Sequence, residues 1–237
     1  VHIAAVARLL EKDPALPLRL TFLIEGEEEI GSPSFPKILE QERERLRGDF
    51  VLLSDTVSPS TEQVAITTAL RGVVALEFEV RGPKGDLHSG LHGGAVYNPI
   101  RAATQICAAL HDEAGRVTVP GFYQDVVEAR DWEKAEIDRL TQTDESYAET
   151  IGVPKTTSLG GLSAAQMVRL LPTLEFNGIG SGYQGEGEKT IIPSKAFVKI
   201  TCRLVANQDP VDIQSKVETA IREHCPPEVA LTLRPGH

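Results

Sequence analysis

The first quarter of the chain combines helical spacing of apolar residues with short apolar runs. Residues 1–12 predict a helix, and residues 33–47 predict a second one. Residues 18–24 and 50–54 are short, nearly continuous apolar runs, which are typical of strands buried on both faces of a parallel sheet. Helix, strand, helix and strand at this spacing predict an α/β layered domain.

A different pattern begins at residue 71, where apolar and polar residues alternate along the chain. The first such segment has apolar residues on one face and charged residues on the other. The two sets are Val74, Leu76, Phe78 and Val80, and Glu77, Glu79 and Arg81. Residues 195–205 alternate in the same way, and residues 173–179 and 229–234 predict two further strands. This pattern is typical of an antiparallel sheet with one solvated face.

Two helices are predicted among these strands, each beginning at an N-cap residue followed by proline. Asn98 and Asp209 are the caps. The predicted buried faces are Ile100, Ala103, Cys107 and Leu110 in the first helix, and Ile213, Val217, Ala220 and Ile221 in the second. The order β-α-β-β-α-β predicts a ferredoxin-like unit with an insertion at about residues 112–172. We place the domain boundary near residue 69.

Composition and charge narrow the possible partners. The chain has 24 Lys+Arg against 34 Asp+Glu and a formal net charge of −10, which argues against nucleic acid or an anionic membrane as the main partner. Three dispersed cysteines predict reduced thiols and a cytoplasmic protein. The only methionine is Met167, and the chain opens inside a helical pattern, so we expect it to be part of a longer protein.

Acidic residues follow both apolar runs of the first quarter. The segment EGEEEIGS, residues 25–32, comes directly after the first run, and Asp55 comes after the second. Ligands of open α/β sheets gather beyond the carboxyl ends of the strands, and clustered carboxylates favour a divalent metal ion. The alternative is a solvated acidic helix start, where carboxylates favourably meet the helix dipole.

Two glycine-rich segments in the second part of the chain contain further candidates. In GDLHSGLHGG, His88 and His92 lie four residues apart, but the glycines disfavour a helix there, so a loop that places one imidazole at a substrate is the functional interpretation. The alternative is an ordinary surface loop. The segment 180–190 does not fit a phosphate loop, because Glu188 stands where the lysine should directly follow Gly187. Thr190 ends this segment. Arg203 lies on the outward face of a strand, where it is either a surface residue or a clamp for a substrate carboxylate.

Six segments in order, EGEEEIGS, LSDT, LRGVVALEFEVRG, GDLHSGLHGGAVYNP, EGEKTIIPSKA and CRLVANQDP, together resemble one enzyme family. It is the dinuclear-zinc peptidase and aminoacylase family that includes carnosine dipeptidase, glutamate carboxypeptidase and succinyl-diaminopimelate desuccinylase, and the chain is most similar to the dipeptidase branch. The resemblance implies an α/β fold: a partial metallohydrolase catalytic domain over residues 1–68, and a ferredoxin-like lid and dimerisation domain over residues 69–237.

The resemblance also implies roles for individual residues. Glu28 corresponds to the general base and Glu29 and Asp55 to metal ligands, in a site for two divalent ions, zinc first and manganese or cobalt as alternatives. His88 corresponds to the residue that stabilises the oxyanion and reaches across from the partner subunit of a homodimer formed through the lid. Thr190 and Arg203 correspond to substrate contacts, with Arg203 binding the free carboxylate.

The implied function is metal-dependent hydrolysis of an amide bond in dipeptides or N-acyl amino acids by the full-length protein. The family's remaining ligands are a His-x-Asp segment, a further Asp and a late His, and none of them has a match in this chain. We therefore expect the chain alone to be inactive. The alternative is a non-enzymatic dimerisation or partner-binding module built on the lid fold.

Overall fold

The computed structural model describes residues 1–53, 55, 65–139 and 143–236 of the chain. The chain divides into two compact units, Val1–Thr56 and Val57–His237, called here the first and the second unit.

The first unit contains helices but, in its described residues, no strand. The helices are α1 (His2–Lys12), α2 (Phe35–Gln41) and α3 (Arg43–Leu46), with a 3-10 turn at Glu28–Ile30. The helix predicted over residues 1–12 is confirmed. The one predicted over residues 33–47 is two helices, because the backbone of Glu42 (φ −104°, ψ 16°) leaves the helical conformation between them.

The prediction of two strands in the first unit is wrong for the residues that the structure describes. Residues 18–24 and 50–53 are irregular, and their apolar side chains are exposed, as in Ile24 (83%) and Phe50 (95%). Residue 54 lies outside the described residues. A strand requires a neighbour that completes its ladder of hydrogen bonds, and no described segment of this unit pairs with either run.

The second unit is built on an antiparallel sheet. Its strands are β1 (Gly72–Arg81), β2 (Leu87–His88), β3 (Thr173–Ser181), β4 (Ile191–Ile192), β5 (Lys195–Leu204) and β6 (Ala230–Pro235). Its helices are α4 (Ser89–His92), α5 (Pro99–Ala109), α6 (Asp131–Arg139), α7 (Asp144–Ile151), α8 (Ala164–Leu170) and α9 (Pro210–Glu223). The larger sheet has the order β3-β5-β1-β6, and β2 pairs with β4 in a separate two-stranded ribbon.

The β-α-β-β-α-β prediction is confirmed by β1, α5, β3, β5, α9 and β6. Helices α5 and α9 both contact the sheet and share one core with it. The predicted inward faces of β1, β5 and α9 are all buried; the five inward residues of β5 are Ala196, Val198, Ile200, Cys202 and Leu204. Asn98 and Asp209 cap their helices as predicted, each accepting a hydrogen bond from a backbone N–H.

The buried face of α5 differs from the predicted one. Ala102, Ala103, Ile106 and Leu110 are each 0% exposed, whereas Ile100 is 37% exposed and Cys107 is only partly buried. Apolar residues occupy more than half of this helix, so the sequence leaves the inward direction undetermined. Packing against β1, β3 and β5 selects it.

The insertion between α5 and β3 contains α6, α7 and α8. The charged helix α6 begins at Asp131, and the Glu133 carboxylate in its first turn accepts a hydrogen bond from the backbone N–H of Arg130 (2.8 Å). A full capping box of Ser163 and Gln166 begins α8. None of the helices in the described part of the chain has both the length and the apolar character of a membrane span.

Candidate functional site

The acidic segment of the first unit is a tight turn held by one of its own carboxylates. Oε2 of the half-buried Glu27 accepts a hydrogen bond from the backbone N–H of Ser34 (3.0 Å). Gly31 ends the 3-10 turn with a φ of +83°, in the left-handed region that glycine tolerates. Glu27 therefore has a structural partner within the loop that it stabilises.

The three candidates for base and metal ligands are all exposed. Glu28 and Glu29 open the 3-10 turn, and Asp55 follows the irregular residues 50–53. Carboxylate oxygens suit zinc, manganese and other divalent ions, so the donor chemistry fits. Across the described ranges, however, no group of three or more His, Cys, Asp or Glu side chains is arranged to hold a metal ion.

The structure brings His88 and Thr190 together, although 102 positions separate them in the chain. In the β2–β4 ribbon, Leu87 lies opposite Ile192 and His88 opposite Ile191. The backbone N–H of Ser89 then donates to the carbonyl of Thr190 (3.0 Å). This ribbon brings Thr190 Oγ1 to 3.3 Å from Nε2 of His88.

The hydrogen bonds of the His88 ring determine which nitrogen carries the proton. The backbone N–H of Gly90 donates to Nδ1 of His88 (3.0 Å), so Nδ1 is an acceptor and the proton of the neutral ring is on Nε2. Nε2 then donates to Thr190 Oγ1. Because both side chains are exposed, a substrate oxygen can replace the Thr190 hydroxyl as the acceptor of this N–H.

The glycine-rich loop around His88 also contains one helical turn that the sequence analysis disfavoured. Residues 89–92 form α4, and His88 is its N-cap through the Nδ1 contact. A helix of only four residues contains just one glycine, Gly90, so the helix-breaking effect of the loop's other glycines falls outside it.

Arg203 lies at the other end of the sheet from the His88–Thr190 pair. It is exposed and stands opposite Val73 on β1 and Thr173 on β3. Arg203 lies eight positions after Lys195 along β5, which corresponds to about 26 Å. The hydrogen bond from Gly82 N–H to the Ser194 carbonyl continues the β1–β5 ladder past Lys195 toward the ribbon. The structure thus brings His88 and Thr190 together and keeps Arg203 apart from them.

The surroundings of Arg203 are rich in positive charge. Burial and the positive charge of Arg203 lower the pKa of Arg71 from its ordinary value, and Arg169 acts in the same direction, while Glu175 opposes them. Several guanidinium groups near one carboxylate leave an excess of positive charge at this end of the sheet. That charge favours binding of an anionic group such as a carboxylate.

The three cysteines have raised pKa values. Burial raises the pKa of Cys202 to about 12 and that of Cys107 to about 11, and it also raises the pKa of Cys225. All three are free thiols. Because the thiolate is the reactive form, the raised pKa values disfavour a nucleophilic role for these residues.

Two further residues do not stand out in the sequence. Gly90 is one of several glycines in its loop, and Arg71 directly precedes β1 at the other end of the sheet. The H-S-G order of residues 88–90 is the only local signal for Gly90, since it puts an N–H two residues after the imidazole, as in an N-cap.

Comparison with known proteins matches residues 68–229 to the family described as the M20 peptidase dimerisation domain. Among curated proteins, the Cys-Gly metallodipeptidase dug1 of Schizosaccharomyces pombe is 31% identical over 224 residues, covering 94% of this chain and 46% of that protein. The human Beta-Ala-His dipeptidase is 29% identical over 219 residues, covering 92% of this chain and 43% of that protein.

Among solved structures, human carnosine dipeptidase 1 matches with a TM-score of 0.76 and 26% identity, covering 96% of this chain and 49% of that chain. The chain thus spans about half the length of the curated relatives it matches.

Proposed function

Because this chain belongs to the M20 peptidase family, whose dimerisation domain it contains, we propose that the full-length protein hydrolyses dipeptides with the help of bound divalent metal ions. The relatives support this proposal, since the curated ones are named as a Cys-Gly metallodipeptidase and a Beta-Ala-His dipeptidase. The structural observation that carries the proposal is the His88–Thr190 pair, which presents an N–H donor and a hydroxyl at one exposed point.

In the proposed mechanism Glu28 is the general base. It accepts a proton from the attacking water as the oxygen bonds to the amide carbon, and it returns that proton to the leaving nitrogen. Glu29 and Asp55 are proposed as two members of a larger ligand set for two divalent ions, zinc first. Such ions supply Lewis-acid activation when bound.

The lid residues are proposed to hold the substrate. Nε2–H of His88 donates to the oxyanion that develops on the carbonyl oxygen, and removing a donor of this kind typically costs about 3–4 kcal/mol. Thr190 lies beside this donor and contacts the same part of the substrate. Arg203 binds the free carboxylate through its planar guanidinium, supported by the positive charge around it.

The distance between these lid residues supports a shared active site in a homodimer. An extended dipeptide spans about 7 Å, which is far less than the length of β5 between the His88–Thr190 end and Arg203. One substrate therefore cannot contact both ends of a single copy. We propose that His88 acts on a substrate bound by the partner copy, in a dimer formed through the lid.

The proposed compartment is the cytoplasm. Its support is that all three cysteines are free thiols in the structure, as expected in a reducing environment.

The proposal is tested by turnover of the full-length protein on a panel of Cys-Gly, β-Ala-His and N-acetylated amino acids. We expect hydrolysis of at least one dipeptide, loss of activity with a chelator, and recovery when zinc is added back. The 237-residue chain on its own is expected to be inactive. Dipeptide hydrolysis that resists exhaustive chelation contradicts the metal-dependent mechanism, and turnover of N-acetylated amino acids alone changes the substrate class. A folded dimer with no turnover supports the non-enzymatic module instead.

A further inference from the structure

We propose that Gly90 is the residue that positions the His88 imidazole, by donating its N–H to Nδ1 and by having no side chain. This inference rests on the role proposed above for His88. It adds a positioning residue that touches neither substrate nor metal and acts only through the ring.

The first step of the argument is the contact itself. The Gly90 N–H donates to Nδ1 at 3.0 Å, and Thr190 Oγ1 lies 3.3 Å from Nε2 on the opposite side of the ring. A neutral imidazole has one donor and one acceptor nitrogen, so a fixed donor at Nδ1 keeps the proton on Nε2. Without that N–H, both tautomers become accessible and the donor that faces the substrate is present only part of the time.

The second step concerns the space beside Gly90. A Cβ added at this position would lie 2.9 Å from Cε1 and 3.1 Å from Nδ1 of His88. These atoms belong to the far end of an exposed side chain, so the ring can move away without disturbing the core. Alanine at position 90 therefore displaces the imidazole while the fold stays intact.

The same loop contains a matched control. A Cβ added at Gly85 would meet nothing within 4 Å, and the φ of Gly85 lies outside the left-handed region. Gly93 is different again, because a Cβ there would lie 2.5 Å from the Ser89 carbonyl oxygen, which is a clash with backbone. Gly90 thus differs from Gly85 and Gly93, because only at Gly90 does the absence of a side chain leave space for the imidazole ring.

The first test is the tautomer of His88, measured by two-bond ¹H–¹⁵N correlation spectra of the ¹⁵N-histidine-labelled chain, with a His88→Gln spectrum for assignment. We expect the proton on Nε2 in the unmodified chain and in Gly85→Ala, and a mixture of tautomers in Gly90→Ala. A proton on Nδ1 in the unmodified chain, or a Gly90→Ala spectrum identical to the unmodified one, overturns the inference.

The second test is kinetic and uses the full-length enzyme. We expect Gly90→Ala to lower kcat by about 10- to 100-fold, as small misplacements of a reacting group do, with little change in KM. Gly85→Ala is expected to keep the kcat of the unmodified enzyme. A Gly90→Ala variant with altered His88 signals and unchanged kcat overturns the catalytic role proposed for His88, whereas the contact between Gly90 and the ring stands.

Discussion

At the residue scale, the acidic turn shows that neighbouring carboxylates with the same chemistry have different surroundings. Glu27 is half-buried and is bound to the Ser34 N–H, whereas Glu28 next to it is exposed. A carboxylate that stabilises its own loop is a poor candidate for proton transfer. Glu28 is exposed, which leaves its carboxylate accessible for proton transfer.

The first prediction compares these two residues in the full-length enzyme. Glu28→Gln is expected to lower kcat by about 10²- to 10⁴-fold, because an amide cannot accept the proton. Glu27→Gln keeps an oxygen that can accept the Ser34 N–H, so its kcat is expected to stay close to that of the unmodified enzyme. Steady-state kinetics on one dipeptide measures both. Equal losses in the two variants would contradict the assignment of the base.

A second feature at this scale is Glu79, a carboxylate on the solvated face of β1 that is only 8% exposed. Arg81 Nε donates to its Oε1 (2.6 Å), and Lys195 Nζ lies 3.5 Å from Oε2. Burial acts to raise the pKa of Glu79, but the hydrogen bond and charge of Arg81 and the charge of Lys195 outweigh it, so the pKa is lowered.

The second prediction follows from the sign of this shift. Because the pKa of Glu79 is lower in the folded chain, the ion pairs stabilise the folded chain at pH values above the ordinary glutamate pKa of about 4.3. This stabilisation is lost as the pH falls through the folded pKa. Glu79→Gln is expected to lower the free energy of unfolding at pH 7 by less than about 1 kcal/mol, since both cations are exposed. Urea denaturation at pH 7 and pH 3 measures the difference, which should be smaller at pH 3 because the carboxylate becomes protonated as the pH falls through the folded pKa.

The matched control for this experiment is Glu77→Gln. Glu77 lies on the same face of β1 and takes part in neither of these ion pairs. A pH-independent effect of Glu79→Gln, or an equal effect of Glu77→Gln, would count against the electrostatic explanation.

At the element scale, α5 shows how packing chooses between two apolar faces of one helix. The sequence has apolar residues at positions 99, 100, 102, 103, 106, 107, 108, 109 and 110, which is more than a narrow stripe. The buried face contains Ala102 and Ala103, whose small side chains allow the helix to approach the sheet closely. Ile100 and Cys107, which also fit a helical period, lie toward the edge of that face.

The third prediction uses two isoleucines of this helix. Ile106→Ala is expected to lower the free energy of unfolding by about 2–5 kcal/mol, because the side chain is fully buried and its loss leaves a cavity. Ile100→Ala makes the same chemical change in the same helix at a residue that is 37% exposed, so its loss should be clearly smaller. Urea denaturation of the two variants tests the orientation of α5, and the reverse order would restore the face expected from the sequence.

The irregular segments of the first unit show that an apolar run alone does not form a strand. Residues 18–24 and 50–53 have the apolar composition of buried strands, yet they form none. A helix satisfies its backbone hydrogen bonds within its own segment, whereas a strand needs a neighbour. This difference explains why α1 is predicted correctly from its own residues and these two segments are not.

At the scale of the whole molecule, β5 acts as a spacer between two groups of proposed substrate contacts. His88 and Thr190 lie beyond its first residue, and Arg203 is its last residue but one. In a twofold dimer the same surface of each copy faces the other, so a lid group of one copy can complete the site of its partner. The proposed dimer and the proposed division of roles therefore depend on each other.

The fourth prediction tests this shared site with mixed dimers of the full-length protein. One copy carries Glu28→Gln and the other His88→Ala, and two affinity tags isolate the mixed species. If His88 acts across the dimer, one of the two sites retains both residues, and about half of the unmodified activity is expected.

Dimers in which both copies carry the same substitution are the control, and they should be nearly inactive. Inactive mixed dimers would show that His88 acts within its own copy, because each site would then contain one defective residue. If sedimentation measurements show that the full-length protein is a monomer, the proposed shared site is wrong.

The elements whose stability is local, and the order of the elements in the lid, follow from the amino-acid sequence alone. The alternation in β1 and β5 and the caps Asn98 and Asp209 can be identified from neighbouring residues. The order of the elements along the chain then allows few topologies. The six segments also indicated the family, with Glu28, Glu29, Asp55 and Arg203 as candidates whose roles stay predictions.

Features that depend on residues far apart in the chain became visible only in the fold. The meeting of His88 with Thr190 and the inward face of α5 arise from strand pairing and packing, which no local pattern encodes. The Gly90 N–H lies only two residues along the chain from His88, but its contact with the ring also required the structure, because hydrogen bonds depend on distances of a few tenths of an ångström.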